Sequence, residues 1–136
     1  MKTKMLKLTY MLIAVLLFSS CSKDDDPKDD REDYVGSYRV NFSFVFDGQT
    51  YVGTYTMTIT KSATNVNDVI LGNIDDWGES VRAVVSGNAI TIPQQTIADI
   101  GISGSGTLNG NVLNFSTQET GTGGATINVT QTGTKQ

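Results

Sequence analysis

The sequence predicts an all-β domain: an antiparallel up-and-down meander of about eight strands closing into a barrel, with a two-sheet β-sandwich as the alternative. Three observations support this. Apolar and polar residues alternate with a period of two through most of residues 34–136, the pattern of antiparallel strands with one wet face. Glycine-containing dipeptides of the hairpin type punctuate the alternation, and all 14 glycines lie from Gly36 onward. Finally, no stretch shows a comparable 3.6-residue period, so helix is expected to be nearly absent.

The elements follow in order. Strand one is expected near 36–46, where Tyr38, Val40, Phe42, Phe44 and Phe46 share a face against Arg39, Asn41 and Ser43. Asp47-Gly48 supplies the positive φ angles of a tight hairpin. Strand two near 50–61 sets Tyr51, Gly53, Tyr55, Met57 and Ile59 against Thr54, Thr56, Thr58 and Thr60. Strands three and four are expected near 67–73 and 80–86, flanking Asp75-Asp76-Trp77-Gly78-Glu79. Gly87-Asn88 leads into strand five (89–97), followed by strand six (100–108). Asn109-Gly110 leads into strand seven (111–118), and strand eight (124–132) alternates Ala125, Ile127 and Val129 with Thr126, Asn128 and Thr130. Eight sequential antiparallel strands that close on themselves leave no exposed edge.

Charge divides the 136 residues into three segments. Residues 1–20 hold only Lys2, Lys4 and Lys7. Residues 21–33 hold Asp24, Asp25, Asp26, Asp29, Asp30, Glu32 and Asp33 against Lys23, Lys28 and Arg31, and with Pro27 read as an extended, disordered tether. Residues 34–136 are the barrel domain. In the first segment the lysines precede an 11-residue apolar run, Leu8–Phe18, that ends in Ser19-Ser20-Cys21. A positive start, a short apolar run and small residues describe a secretory signal peptide. The run is well short of the ~20 residues that span a bilayer.

Ser19-Ser20-Cys21 resembles the lipobox of bacterial lipoproteins, with Phe18 where that family usually has leucine. The resemblance implies that Cys21 is acylated, with palmitate among its chains, and becomes the first mature residue. Several acyl chains together anchor a protein stably. Ser22-Lys23-Asp24-Asp25-Asp26 is similar to the surface-export motif of Bacteroidetes-type lipoproteins, which implies an outer-membrane protein facing the cell exterior. Tyr34-Val35-Gly36-Ser37-Tyr38-Arg39-Val40 before an eight-strand meander resembles the start of lipocalin-like (calycin-like) domains, with Gly36-x-Tyr38 in place of Gly-x-Trp. In that family the aromatic packs at the barrel base against a late arginine. No arginine follows Arg82, so that partner is missing or replaced.

Composition excludes much chemistry. With no histidine and a single cysteine there is no imidazole ligand or base, no internal disulfide and no thiolate zinc site. A pI near 4.6 argues against nucleic acid as a partner. Asp75, Asp76 and Glu79 are weak candidates for a hard cation, in a pattern that lacks the alternating acids of an EF-hand. Asp75, Asp76 and Asp99 are the carboxylates available for glycosidase-like chemistry. The expectation is that the chain is not an enzyme and needs no cofactor. Gly101, Gly104 and Gly106 lie on a strand pattern and lead into no helix, so they are structural glycines and not a phosphate loop. The Asn-x-Ser/Thr triplets at Asn41, Asn114 and Asn128 are chance matches in strands rich in Asn and Thr.

The aromatics of the apolar faces are expected to fill the core. Space left by inward Gly53 and Gly104 would admit a small apolar or glycan ligand near one mouth. Trp77, the only tryptophan, stands in a connection outside the alternation. It is either the rim of a ligand site or a plug folded into the barrel end. Two functions follow: a ligand-binding surface lipoprotein, or a structural and protein-interaction module of a cell-surface assembly.

Overall fold

The structure is a computed structural model that describes residues 26–136. Cys21 and the export-motif residues Ser22, Lys23, Asp24 and Asp25 lie outside the described residues, as does the signal segment, while Asp26 is exposed. Eight antiparallel strands close into one barrel in sequential order. They are β1 (Gly36–Phe46), β2 (Gln49–Lys61), β3 (Asp68–Gly72), β4 (Ser80–Ser86), β5 (Ala89–Ile97), β6 (Ile100–Asn109), β7 (Val112–Thr120) and β8 (Thr126–Lys135). Pairing of β1 with β8, from Tyr38↔Lys135 to Phe44↔Val129, closes the sheet and rules out the sandwich.

Because strands alternate in direction, the connections fall into two sets. One end, the base, gathers residues 62–67, 87–88, 110–111 and the C-terminus. The other, the mouth, gathers 47–48, 73–79, 98–99 and 121–125. The alternation read from the sequence holds at the base. Tyr38, Val40, Met57, Ile59, Leu71, Ile90, Ile102 and Leu113 are buried inside, and Thr54, Thr56, Thr58 and Thr60 face water. Burying such side chains contributes roughly 1.5–3 kcal/mol each.

Two local devices complete the closure. Pro93 offers no N–H, and the β5–β6 register shifts between Ile92 and Gln95. The Gln95 side chain supplies what the backbone loses there: its Oε1 accepts from Arg82 N (3.0 Å) and its Nε2 donates to Arg82 O (2.8 Å). On β6, a Cβ on Gly106 would lie 2.5 Å from Asn114 O and 2.8 Å from Phe115 Cα, so the bare backbone is required for β7 to approach.

The end of the expected tether folds onto the base. Asp30–Asp33 form a 3-10 turn capped by Asp29, whose side chain accepts from Arg31 N. Arg31 donates from Nη1 to Asn65 O (3.0 Å), and Gly87 N donates to Asp30 Oδ2 (2.8 Å). Arg31 and Lys61 hold the Asp29 carboxyl well below the usual carboxylate range. The ordered domain therefore begins before Tyr34, because these charges find partners on the 62–67 and 87–88 connections. Tyr34 plugs the base with no exposed surface, and Tyr38 Oη donates to its carbonyl (2.8 Å). The cation over the Tyr38 ring is Lys135, with Nζ 5.9 Å from the centroid, where the lipocalin-like resemblance leads one to expect a late arginine.

Candidate functional site at the barrel mouth

The inward faces change character toward the mouth. On β7, the row Leu113, Phe115 continues toward the mouth as Thr117 and Glu119, and on β8 the inward Gln131 lies across from Phe115, one inward position below Val129. These polar side chains meet Tyr55 from β2 and Asp75 from the β3–β4 connection. Tyr55 Oη donates to Gln131 Oε1 (2.5 Å). Gln131 Nε2 donates to Asp75 Oδ1 (2.7 Å) and to Thr117 Oγ1 (3.1 Å), and Thr117 Oγ1 donates to Glu119 Oε1 (3.3 Å).

Asp75 reaches this position through a backbone that few residues adopt. Asn73, Asp75 and Asp76 have φ of 61°, 51° and 60°, followed by Gly78 at 72°. Left-handed conformations cost a non-glycine residue of order 1 kcal/mol, and Asn and Asp tolerate them best. Asn73 staples the turn, with Nδ2 donating to Thr56 O (2.9 Å) and Oδ1 accepting from Gly78 N (2.8 Å). The turn thereby sends Asp75 inward and leaves Asp76 and Glu79 exposed.

Burial is the largest reason the Asp75 carboxyl is pushed up to about 8, followed by the adjacent Glu119 carboxyl; the Gln131 bond opposes both. Asp75 Oδ2 is buried with no donor in reach. The two carboxyls can hydrogen-bond each other only while one proton sits between them. Burial also drives the Tyr55 hydroxyl far above its ordinary value, so it stays a donor. No ion pair of the described residues includes Asp75 or Glu119.

Beside this polar network lies a recess of about 150 Å³ lined by Phe42, Phe44, Trp77 and Val129 together with Asp75 and Glu119. An apolar cavity of roughly that volume accommodates a benzene-sized group. The rings form a cross-strand series: Phe44 stacks on Tyr51 (centroids 5.1 Å apart), Phe42 on Phe44 (6.2 Å), and Phe42 lies 6.1 Å from Tyr55. Larger grooves of about 460 and 330 Å³ at the base lie between the folded-back tether and the barrel, lined by the exposed Lys28 and the half-buried Asp30 among others, and hold no orphaned polar atom.

Several expectations are corrected by this geometry. Gly53 leaves no space, because the Phe42 ring lies over it, with Cζ 2.5 Å from where a Cβ would stand. Gly104 faces the β7 backbone at Ser116 O, so it too opens no cavity. Phe42 is half-buried against the core and Phe44 is half-buried beyond it, both lining the recess, and Phe46 is half exposed beyond the rim. Trp77 is half-buried: it packs against the core at the barrel end and also lines the recess. Asp75, Asp76 and Glu79 point different ways, and among the described residues no three such side chains gather around one point. Asp99 is exposed on the β5–β6 hairpin and joins neither Asp75 nor Asp76 in a carboxylate pair. Glu119, Thr117 and Gln131 are not singled out by the sequence, although the period of two from Phe115 and Val129 places them inside; Tyr55 faces inward as its alternation predicts, and the structure adds the polar partner of its hydroxyl.

No family model matches the chain, and no curated protein matches it in sequence. Among solved structures, it is similar to a protein of unknown function of the DUF3598 family from Nostoc punctiforme. The TM-score is 0.54 at 10% identity, over 77% of this chain and 48% of that one. A structural-genomics protein of unknown function from Bacteroides ovatus matches with a TM-score of 0.48 and 17% identity, over 74% of this chain and 41% of that one. The chain spans about half the length of the DUF3598 protein, and what the two share is the fold: an eight-stranded antiparallel barrel.

Proposed function

We propose that the chain is a lipocalin-like surface lipoprotein, anchored in the outer membrane through Cys21, whose barrel mouth holds one end of a small ligand without catalysing a reaction. The observation that carries the ligand reading is the aromatic recess over a buried, donor-starved carboxyl. A fold optimised only for stability would fill that space and give every buried polar atom a partner, as the packed base does with Tyr34, Tyr38 and the aliphatic side chains around them. Support for the anchor comes from Lys2 to Cys21 and Ser22 to Asp26, together with polarity: the chain enters at the base, the end opposite the recess. A tether of that kind leaves the mouth turned away from the membrane.

Trp77 emission tests the ligand reading, since it arises from one residue in the recess wall. Titration with apolar alcohols, fatty acids, apolar amines and oligosaccharides is expected to shift it for one class, and Trp77→Ala to abolish that response. Silence across all classes would refute ligand binding. Palmitate labelling tests the anchor: Cys21→Ala is expected to abolish it, and continued labelling would refute the assignment. Replacing Asp24, Asp25 and Asp26 with alanine is expected to keep lipidation but shield the barrel from protease on whole cells. Equal accessibility would reduce the run to a tether.

One observation favours the second reading, a protein-interaction module. The β1–β2 hairpin overhangs the mouth with Val45 62%, Phe46 50%, Tyr51 43% and Val52 76% exposed, an apolar tip that suits a protein partner.

A further inference from the structure

We propose that the mouth recess takes the head of a primary organic ammonium on an apolar body, with Asp75 and Glu119 as its counter-ions and Phe42, Phe44 and Trp77 as its walls. The inference rests on the ligand-binding reading and names the class of ligand. Each lining group narrows that class. The recess is lined by acceptors: Asp75 Oδ2 is buried without a donor, and Glu119 lines the same recess. A fatty acid would bring a third carboxylate to this pair, which like-charge repulsion disfavours. A neutral sugar needs donors as well as acceptors, and the donors of the network, Tyr55 Oη and Gln131 Nε2, are already engaged within it. A calcium ion would find two carboxyls among rings, too few protein oxygens for its usual six to eight ligands.

An ammonium head answers all of these features. It carries three N–H donors, where a quaternary nitrogen has none, and so can satisfy the orphaned oxygen. Aromatic faces attract the cation and cover its apolar body. The volume of about 150 Å³ seats the head and a ring-sized group, and a longer body leaves along Phe46 and Tyr51 on the overhanging hairpin.

The charge balance predicts a proton release. The groups facing Asp75 are Glu119 from β7, the Tyr55 hydroxyl from β2, the uncharged Gln131 from β8 and Trp77; Asp76, its neighbour in the chain, is exposed. With its carboxyl pushed up to about 8, chiefly by burial, Asp75 holds its proton at pH 7. An incoming ammonium takes that proton's place, and the proton leaves to buffer.

The test is calorimetric titration of the full chain in nonionic detergent with 2-phenylethylamine, the uncharged 2-phenylethanol and the anionic phenylacetate, against detergent blanks. The amine is expected to bind at least tenfold more tightly than the alcohol, with no binding of phenylacetate. Buffers of different ionisation enthalpy are expected to reveal release of about one proton at pH 7. Asp75→Asn keeps the shape and removes the charge. It is expected to lose at least tenfold in amine affinity while the circular dichroism and the weak alcohol binding persist. Alcohol or phenylacetate binding as tight as the amine would overturn the ammonium assignment and leave a ligand site of another class. Amine binding without proton release, or undiminished in Asp75→Asn, would also overturn it. No heat and no change in Trp77 emission with any of the three would remove the ligand site itself.

Discussion

Asp75→Asn should stabilise the barrel, and by an amount that grows with pH. The carboxyl is raised from its ordinary 3.8 to about 8, chiefly by burial. The folded state therefore binds its proton more tightly than the unfolded chain does. Stability from the protonated form is complete below pH 3.8 and is lost progressively as pH rises toward 8. Asparagine has the same shape and no proton to lose, and its amide can donate to Glu119. At about 1.4 kcal/mol per pH unit, the window sets a ceiling of about 6 kcal/mol for the difference between variant and wild type. Water at the open mouth screens part of the charge, so a gain of about 2–4 kcal/mol between pH 4 and pH 8 is expected. Urea unfolding of both proteins, followed by far-ultraviolet dichroism at each pH, measures it. Carboxylates remote from Asp75, Asp29 among them, tilt both curves alike and cancel in the difference. A difference that stays flat within about 0.5 kcal/mol across the window would refute the burial of a protonated Asp75. A barrel that gains stability on losing this carboxyl retains it for something other than folding.

Two further expectations concern the scaffold. Gly106→Ala drives a methyl into backbone atoms of Asn114 and Phe115 that cannot yield. A loss of about 3 kcal/mol and a Tm lower by about 10–20 °C are expected, whereas Gly121→Ala, with open space around it, should be neutral. Equal melting temperatures for the two variants would mean that β6 and β7 do not approach as described. Arg82→Ala removes a 2.9 Å bond to the buried Asp68 and leaves its carboxyl with the Asn65 amide. A cost of about 1–3 kcal/mol is expected at neutral pH; an unchanged unfolding midpoint would mean that the fold does not depend on this bond.

The strand order and most strand limits were legible in the sequence because a period of two and a hairpin dipeptide are local properties. Tyr38, Val40, Met57 and Ile59 face inward for the reason their spacing suggests, and Asp47-Gly48 turns where its φ preferences allow. The same alternation marked the inner positions of Thr117, Glu119 and Gln131, but polarity hid them, since a polar residue in a strand is ordinarily read as facing water. The closure between β1 and β8 joins residues some 90 positions apart, such as Val40 and Gly133, and no local pattern encodes it. The site depended on tertiary structure alone. Asp75 and Asp76 are the same residue type side by side, and only the left-handed turn stapled by Asn73 sends one into the barrel and leaves the other in water. Local sequence determined which residues could pair into strands. The three-dimensional arrangement decided which carboxyl lost its solvent, because desolvation depends on what surrounds a group in space and not on its neighbours along the chain.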